Sequence, residues 1–321
     1  MKAIVYEQYG KPNVLQVKEV EPPSIKADEL LIKVKASGIN PVDTYFRKGI
    51  RKVDQLPYIP HFDLAGEVIG IGSEVKGFKS GDRIWATKAK GASAELAAVP
   101  AKLAFPLPKT MTYEEGAAIA MAFTTAHLSL FYRGQIQPGE NVLVFGGAGA
   151  VGHAAIQLAK QAGATVITTT STDEKKGIAL KAGADRVINY RSENLVEQVM
   201  EITDGKGVSL ILDVALSDNM EKDFQMIAIG GRIVTIGSPS NNTPPLLWRQ
   251  LNMRNAALLG IFLFSVPQQE LIKAGKAIAA GFEQGLLLAH VGQTFPFHEA
   301  DKAHQALENR QYSGSIVLSH H

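Results

Sequence analysis

Asn141-Val142-Leu143-Val144-Phe145-Gly146-Gly147-Ala148-Gly149-Ala150-Val151-Gly152 is the stretch on which the fold turns. A short apolar run, 141–145, reads as a buried strand. It leads into Gly147-Ala148-Gly149-Ala150-Val151-Gly152, a complete G-x-G-x-x-G, and a helix over 151–161 leaves it. The spacing has a geometric meaning. The first glycine permits the tight turn, and the second lets backbone approach a pyrophosphate. The third lets helix and strand pack closely, and the helix N-terminus offers unpaired N–H groups to the diphosphate. The motif is weak alone and strong in strand–turn–helix context. Strands over 165–169, 186–190, 208–214, 231–236 and 256–264 follow, alternating with helices near 174–181, 193–202 and 219–229. Gly163, Gly183 and Gly230 stand where left-handed helix caps are expected. This alternation implies an α/β unit built on a doubly wound parallel sheet.

Working outward, residues before 108 have another texture. Glu29 to Ala36 alternates apolar and polar residues, and 65–71 and 82–86 are also strand-like. Turn signals such as Gly72-Ser73 and Ser80-Gly81-Asp82 separate them. This portion reads as an all-β module with irregular loops. Gly70-Ile71-Gly72-Ser73 starts like a phosphate loop, but it lacks the third glycine and no helix follows, so it reads as a hairpin connection. A helix is expected over 112–133. Helices near 268–284 and 299–308 and a strand over 315–318 close the chain.

The 321 residues suffice for two domains. Charged residues make up 20% and the formal net charge is +2, with no like-charge block of the kind nucleic-acid arms carry. With no cysteine there is neither a disulfide nor a thiolate metal site, which fits a cytoplasmic setting. No apolar run approaches the ~18 residues of a membrane span, and the N-terminus lacks the apolar core of a signal peptide.

The end of the second strand bears on the cofactor. Enzymes using NAD place an Asp or Glu there for the ribose 2′-hydroxyl. This chain has Thr168-Thr169-Thr170-Ser171-Thr172, with Asp173 and Glu174 only afterwards and then Lys175 and Lys176. Hydroxyls and a cation suit a 2′-phosphate, which points to NADP(H).

These residues and their order resemble the medium-chain dehydrogenase/reductase superfamily, most of all its zinc-independent, zeta-crystallin-like quinone oxidoreductases. The likeness runs through Ala36-Ser37-Gly38-Ile39-Asn40-Pro41-Val42-Asp43-Thr44-Tyr45, Gly81-Asp82-Arg83-Ile84, Val187-Ile188-Asn189-Tyr190 and the stretch from Gly230 to Ser238. It implies a GroES-like β domain, 1–124 with 263–321, and a Rossmann NADP(H)-binding domain, 125–262. Zinc-dependent relatives carry a cysteine where this chain has Ser37 and a liganding histidine where it has Phe62, so no metal is expected, despite His61 and Asp63. His127, His153, His298 and His304 read as surface or core histidines. Ser315 replaces a lysine common among relatives.

By the same resemblance, Gly147, Ala148, Gly149, Ala150, Val151 and Gly152 hold the pyrophosphate, Ser171 and Lys175 the 2′-phosphate, and Tyr190 flanks the adenine. Ile236, Gly237 and Ser238 underlie the nicotinamide ribose, and Ile261, Phe262 and Leu263 back the nicotinamide. Asn40, Tyr45 and Thr125 border the reacting ring, with Asn40 and Tyr45 the catalytic candidates. The implied reaction is hydride transfer from NADPH to a quinone or enone. An enoyl-thioester or 2-alkenal reductase is the alternative on the same fold. An RNA-associated or structural role finds no basic-aromatic stripe to support it. The resemblance further implies a homodimer or homotetramer.

Overall fold

Short strands separated by turns fill the first hundred residues, and one short helix interrupts them. In the computed structural model, which describes residues 1–237 and 242–320, the order is β1 (Lys2–Val5), β2 (Gln16–Glu19), β3 (Glu29–Ile39), α1 (Pro41–Arg47), β4 (Asp63–Ile71), β5 (Arg83–Ala86), β6 (Leu96–Pro100), β7 (Ala104–Pro106) and α2 (Tyr113–His127). Next come β8 (Asn141–Val144), α3 (Ala150–Gln161), β9 (Thr165–Thr170), α4 (Asp173–Lys181), β10 (Arg186–Asn189), α5 (Leu195–Ile202), β11 (Val208–Asp213), α6 (Leu216–Met226) and β12 (Ile227–Thr235). The rest is α7 (Trp248–Met253), β13 (Ala257–Gly260), α8 (Gln268–Glu283), β14 (Val291–Pro296), α9 (Ala300–Glu308) and β15 (Ser315–Ser319).

The chain divides into two compact units, Met1–Thr124 with Leu271–His321, and Thr125–Glu270. The sequence reading placed the second boundary earlier, at 262/263. The first unit is built on a seven-stranded sheet, β14-β15-β3-β4-β5-β7, with β6 pairing β3 and a separate β1-β2 pair. All its pairings are antiparallel except β14 with β15. Alternation along β3 decides its core: Leu30, Ile32 and Val34 are buried and cluster with Leu64, Val68 and Ile84.

In the second unit six strands form one sheet of order β10-β9-β8-β11-β12-β13, parallel throughout. Strand order reverses between β8 and β11, the position at which open α/β sheets bind ligands. Leu143, Ile167, Ile188, Ile211 and Ile233 from the strands pack with Val199, Met220 and Phe224 from the helices. Arg232 of β12 clamps the amino-terminal edge. Its Nη1 and Nη2 donate to the two carboxylate oxygens of Glu140 at 2.6 and 2.8 Å, and its Nε donates to Gly134 O at 2.9 Å. Such a bidentate pair fixes orientation as well as distance.

Several expectations are corrected. The first portion is not all-β. Asn40-Pro41-Val42-Asp43 starts α1, with proline in the first turn and the Asp43 carboxylate accepting from Asn40 N–H at 2.7 Å. The helix expected over 219–229 runs Leu216–Met226, and Ile227 to Ile229 begin β12 instead. Gly230 (φ 75°) therefore sits in an irregular stretch of strand, not at a helix cap. A short apolar run does not by periodicity separate helix from strand. Gly163 (φ 80°) and Gly183 (φ 100°) do follow α3 and α4 as expected. The strand expected over 256–264 ends at Gly260, and a 3₁₀ turn occupies Leu263–Ser265. The helix expected over 112–133 stops at His127 and continues as a wider π-helical turn to Arg133. Among the described residues no helix is long and apolar enough to cross a membrane.

Candidate functional site

The glycine loop between β8 and α3 is closed by its own backbone. Gly147 N donates to Thr169 O at 3.0 Å, Gly146 N to Thr169 Oγ1 at 3.1 Å, and Gly149 N to Gly146 O at 2.9 Å. A Cβ on Gly152 would lie 2.2 Å from Gly146 O, and one on Gly147 would lie 2.3 Å from Thr168 Oγ1. Both positions exclude any side chain. Gly149 differs: a Cβ there meets only Gly146 O, at 3.3 Å, and the residue is exposed at the N-cap of α3. The first and third glycines thus serve internal packing, and the middle one leaves room outside. That is the cradle a pyrophosphate needs in front of a helix N-terminus.

Because the strands are parallel, the residues that follow them share one edge of the sheet. That edge gathers the glycine loop after β8, Ser171 after β9, Tyr190 after β10, Ile236 and Gly237 after β12, and Ile261 after β13. Tyr190 is about half exposed, and its N–H donates to Thr170 O at 3.2 Å, next to Ser171. Ser171 and Lys175 are both half-buried, and Thr172 Oγ1 accepts from Lys175 N at 3.3 Å as the cap of α4. Thr170 Oγ1 is buried and has no partner. The first carboxylate beyond β9 is the exposed Asp173, on α4. Phe262 is exposed just past β13, whereas Leu263 is buried. Thr125 is buried on α2. Ser238 lies outside the described residues.

The other candidates belong to the first unit. Asn40 caps α1, and Tyr45 is half-buried on that helix. Asn40 Nδ2 donates to Asp63 Oδ2 at 2.8 Å. The same oxygen accepts from Met121 N at 3.0 Å, and Oδ1 accepts from Thr87 Oγ1 at 2.7 Å. Burial pushes the Asp63 carboxyl up to about 7, and the three donors restrain the rise. Asp43 is raised too, chiefly by burial, with Asp63 as a like charge nearby. Below them Arg47 is fully buried and pairs with Glu308 of α9. His61 and His304 stack with centroids 5.2 Å apart and Nε2 atoms 2.9 Å apart. Burial lowers His61 to about 3, so the pair is neutral. His153 is buried beside Gln157, 3.1 Å away. Phe62, where zinc relatives carry a ligand, packs on Phe46 at 5.4 Å between centroids. Ser315 Oγ donates to Ala118 O at 2.9 Å. Among the described residues no three His, Asp or Glu side chains converge as a metal site.

The sequence reading passed over Asp213, the last residue of β11 and hence on the ligand edge, and its neighbour Asp223 on α6. Both are fully buried. The available signal was an acid closing an apolar strand, Val208-Ser209-Leu210-Ile211-Leu212-Asp213.

Comparison with known proteins agrees with this geometry. Residues 26–109 match the family described as "Alcohol dehydrogenase GroES-like domain" and 150–280 the one described as "Zinc-binding dehydrogenase". The quinone oxidoreductase of Sus scrofa is 33% identical, with 99% of this chain and 97% of that protein aligned. The structure of Escherichia coli quinone oxidoreductase complexed with NADPH superposes with a TM-score of 0.89 at 33% identity, covering 100% of both chains. A solved NAD-dependent alcohol dehydrogenase gives 0.92 at 29%, also covering 100% of both. A GroES-like unit together with a dinucleotide-type parallel sheet defines the medium-chain dehydrogenase/reductase class. Within that class, the chain belongs to the quinone oxidoreductase family and is an oxidoreductase of that type.

The two glycine environments separate packing from binding. Gly152→Ala should lower unfolding stability by roughly 1–3 kcal/mol, the cost of forcing atoms into a packed contact. Gly149→Ala should cost less than about 1 kcal/mol of stability. It should nonetheless weaken dinucleotide binding at least about tenfold, or ~1.4 kcal/mol. Urea unfolding and fluorescence titration measure both. Unchanged dinucleotide affinity in Gly149→Ala would remove the loop from the site.

Proposed function

We propose that the chain is an NADPH-dependent, metal-free reductase that delivers hydride to a quinone or an α,β-unsaturated carbonyl. The observation that carries this reading is the end of β9. Fold likeness extends to an NAD-dependent and an NADPH-bound protein alike, so only local chemistry discriminates between the cofactors. Where an NAD site needs a carboxylate, this chain offers Thr170, Ser171 and, on the next turn, Lys175. Their hydroxyls and ammonium suit a 2′-phosphate, and no acid stands there to repel it.

In this reading the glycine loop and the N-terminus of α3 hold the pyrophosphate, and Ser171 and Lys175 hold the 2′-phosphate. Tyr190 flanks the adenine. Ile236 and Gly237 seat the nicotinamide ribose, Ile261 and Phe262 back the ring, and Thr125 borders it. When bound, NADPH supplies the hydride. Asn40 and Tyr45 orient the acceptor, and the Tyr45 hydroxyl donates a hydrogen bond to the carbonyl oxygen as negative charge develops. The metal-free reading rests on Ser37 and Phe62 at the two ligand positions and on His61, whose Nε2 is engaged with His304 Nε2 at 2.9 Å. We also propose a homodimer. β13 ends the parallel sheet, and its free edge needs cover, which a second copy supplies by pairing strand to strand.

NADPH should bind far more tightly than NADH. Lys175→Ala should raise the NADPH dissociation constant about 10–100-fold, the worth of one charge-assisted bond, and leave NADH nearly unchanged. Equal affinity of the unmodified protein for both cofactors would overturn the reading. With the best acceptor from a panel of quinones, enones and alkenals, Tyr45→Phe should lower kcat by ~10²-fold while NADPH affinity holds within a few-fold. If only Tyr45→Ala is impaired, the ring is a wall and water supplies the proton. Light scattering at micromolar concentration should give at least twice the chain mass; a monomer would sink the strand-edge pairing.

A further inference from the structure

Asp213 and Asp223 form an arrangement that the chemistry above does not use. Asp213 closes β11 at the point where strand order reverses. Its Oδ1 is satisfied by Ala215 N at 2.7 Å and Asn219 Nδ2 at 3.0 Å, while its Oδ2 is buried with no donor facing it. Asp223, on α6, is completely buried, and neither of its carboxylate oxygens has a donor. The two carboxyls lie within hydrogen-bonding reach of each other. Two acceptors can be joined only if a proton lies between them. Asp218, also an acid, adds to the rise of Asp213. Asp213 is also tied to the end of β12, because its carbonyl accepts from Ile236 N at 2.8 Å. Leu216 N, at the start of α6, donates to Gly237 O at 3.2 Å.

We propose that Asp213 and Asp223 share one proton and act as positioning residues for the cofactor seat, the shared proton fastening the end of β11 to α6, and both of these elements bond to Ile236 and Gly237. The proposal rests on the reading that places the nicotinamide ribose there. Losing the proton leaves two buried like charges in contact, which drives the segment apart and loosens the seat.

Burial, and then the charge of Asp213, raise the Asp223 carboxyl to about 9 from its ordinary 3.8. The sign for stability follows. The folded chain keeps a proton that the unfolded chain releases, so this contribution is complete below about pH 4 and is lost progressively as pH rises to about 9. An uncharged isostere should escape that loss.

The test compares the full-length protein with Asp223→Asn, in which an amide replaces the proton-carrying group and still donates to Asp213. NADPH dissociation constants are measured by fluorescence from pH 7 to pH 10, a range above the ~6 at which a phosphate takes its last charge. Melting temperatures are measured from pH 5 to pH 10. The wild-type constant should rise above pH 9, approaching about tenfold per pH unit, beyond any alkaline weakening that both proteins share. Asp223→Asn should lack this rise. It should also melt higher than wild type at pH 8–9, with the gap closing toward pH 5. If Asp223→Asn does not fold, Asp213→Asn replaces it, since it removes the opposing charge and keeps an oxygen for Ala215 and Asn219. Identical pH dependence of binding in wild type and variant overturns the proposal, as does a variant that melts no higher at pH 8–9. Absence of NADPH binding at pH 7 in both proteins overturns the cofactor reading instead, because the melting curves test the shared proton by themselves.

Discussion

The dinucleotide unit depends on one close approach, the α carbon of Gly152 beneath the carbonyl of Gly146, where no β carbon fits. That contact sets the angle at which α3 leaves the loop, and with it where the helix N-terminus points. Neighbouring constraints follow in order. Gly147 lies against Thr168, whose hydroxyl donates to Val144 O at 2.6 Å, so β8 and β9 are joined by side chain as well as backbone at their carboxyl ends. Thr169 then receives the N–H groups of Gly146 and Gly147. The pair Thr168-Thr169 is therefore part of the loop's scaffold. Only after it, from Thr170 onward, are side chains free to address a ligand.

This division explains what could be read without coordinates. The dinucleotide unit was legible because its information is local: a strand, a glycine turn and a helix follow within twenty residues, and alternation then repeats. Parallel topology carries the candidate residues to one edge, so knowing where each strand ends is nearly enough to place Ser171, Tyr190, Ile236, Gly237 and Ile261. What escaped reading is long-range or locally ambiguous. The Asp63 carboxylate collects donors from Asn40, Thr87 and Met121, none of them near it in sequence. His61 and His304 meet across 243 positions. Ile227 to Ile229 are equally at home in a helix or a strand, and the tertiary pairing of β12 with β11 makes the choice.

Cofactor selection is a small-scale matter placed on a large-scale scaffold. The sheet order and loop geometry serve any dinucleotide, since the pyrophosphate is common to all of them. Discrimination falls to the first side chains beyond β9. A carboxylate there would accept from a ribose hydroxyl and repel a phosphate; hydroxyls followed by an ammonium reverse both preferences. Asp173 does not undo this, because it lies in the first turn of α4, where its charge favours the helix N-terminus.

Buried acids mark both units. Asp43 and Asp63 in one, Asp213 and Asp223 in the other, are carboxyls whose ionised forms burial disfavours. A fold selected for stability alone has little use for them, since apolar groups of like size are commonly as stable or more so. Three of them nevertheless stand beside a candidate site residue: Asp63 on Asn40, Asp43 within the helix that carries Tyr45, and Asp213, whose carbonyl accepts from Ile236 N. Perturbed carboxyls gather at sites of function more than elsewhere. A polar atom with a single compatible partner arrangement is hard to misplace, and a carboxylate that must satisfy three donors at once tolerates little movement of any of them. These acids give up stability for geometry. They hold Asn40, α1 and the β11–α6 corner in place where apolar packing, which has no direction, would leave them room to turn.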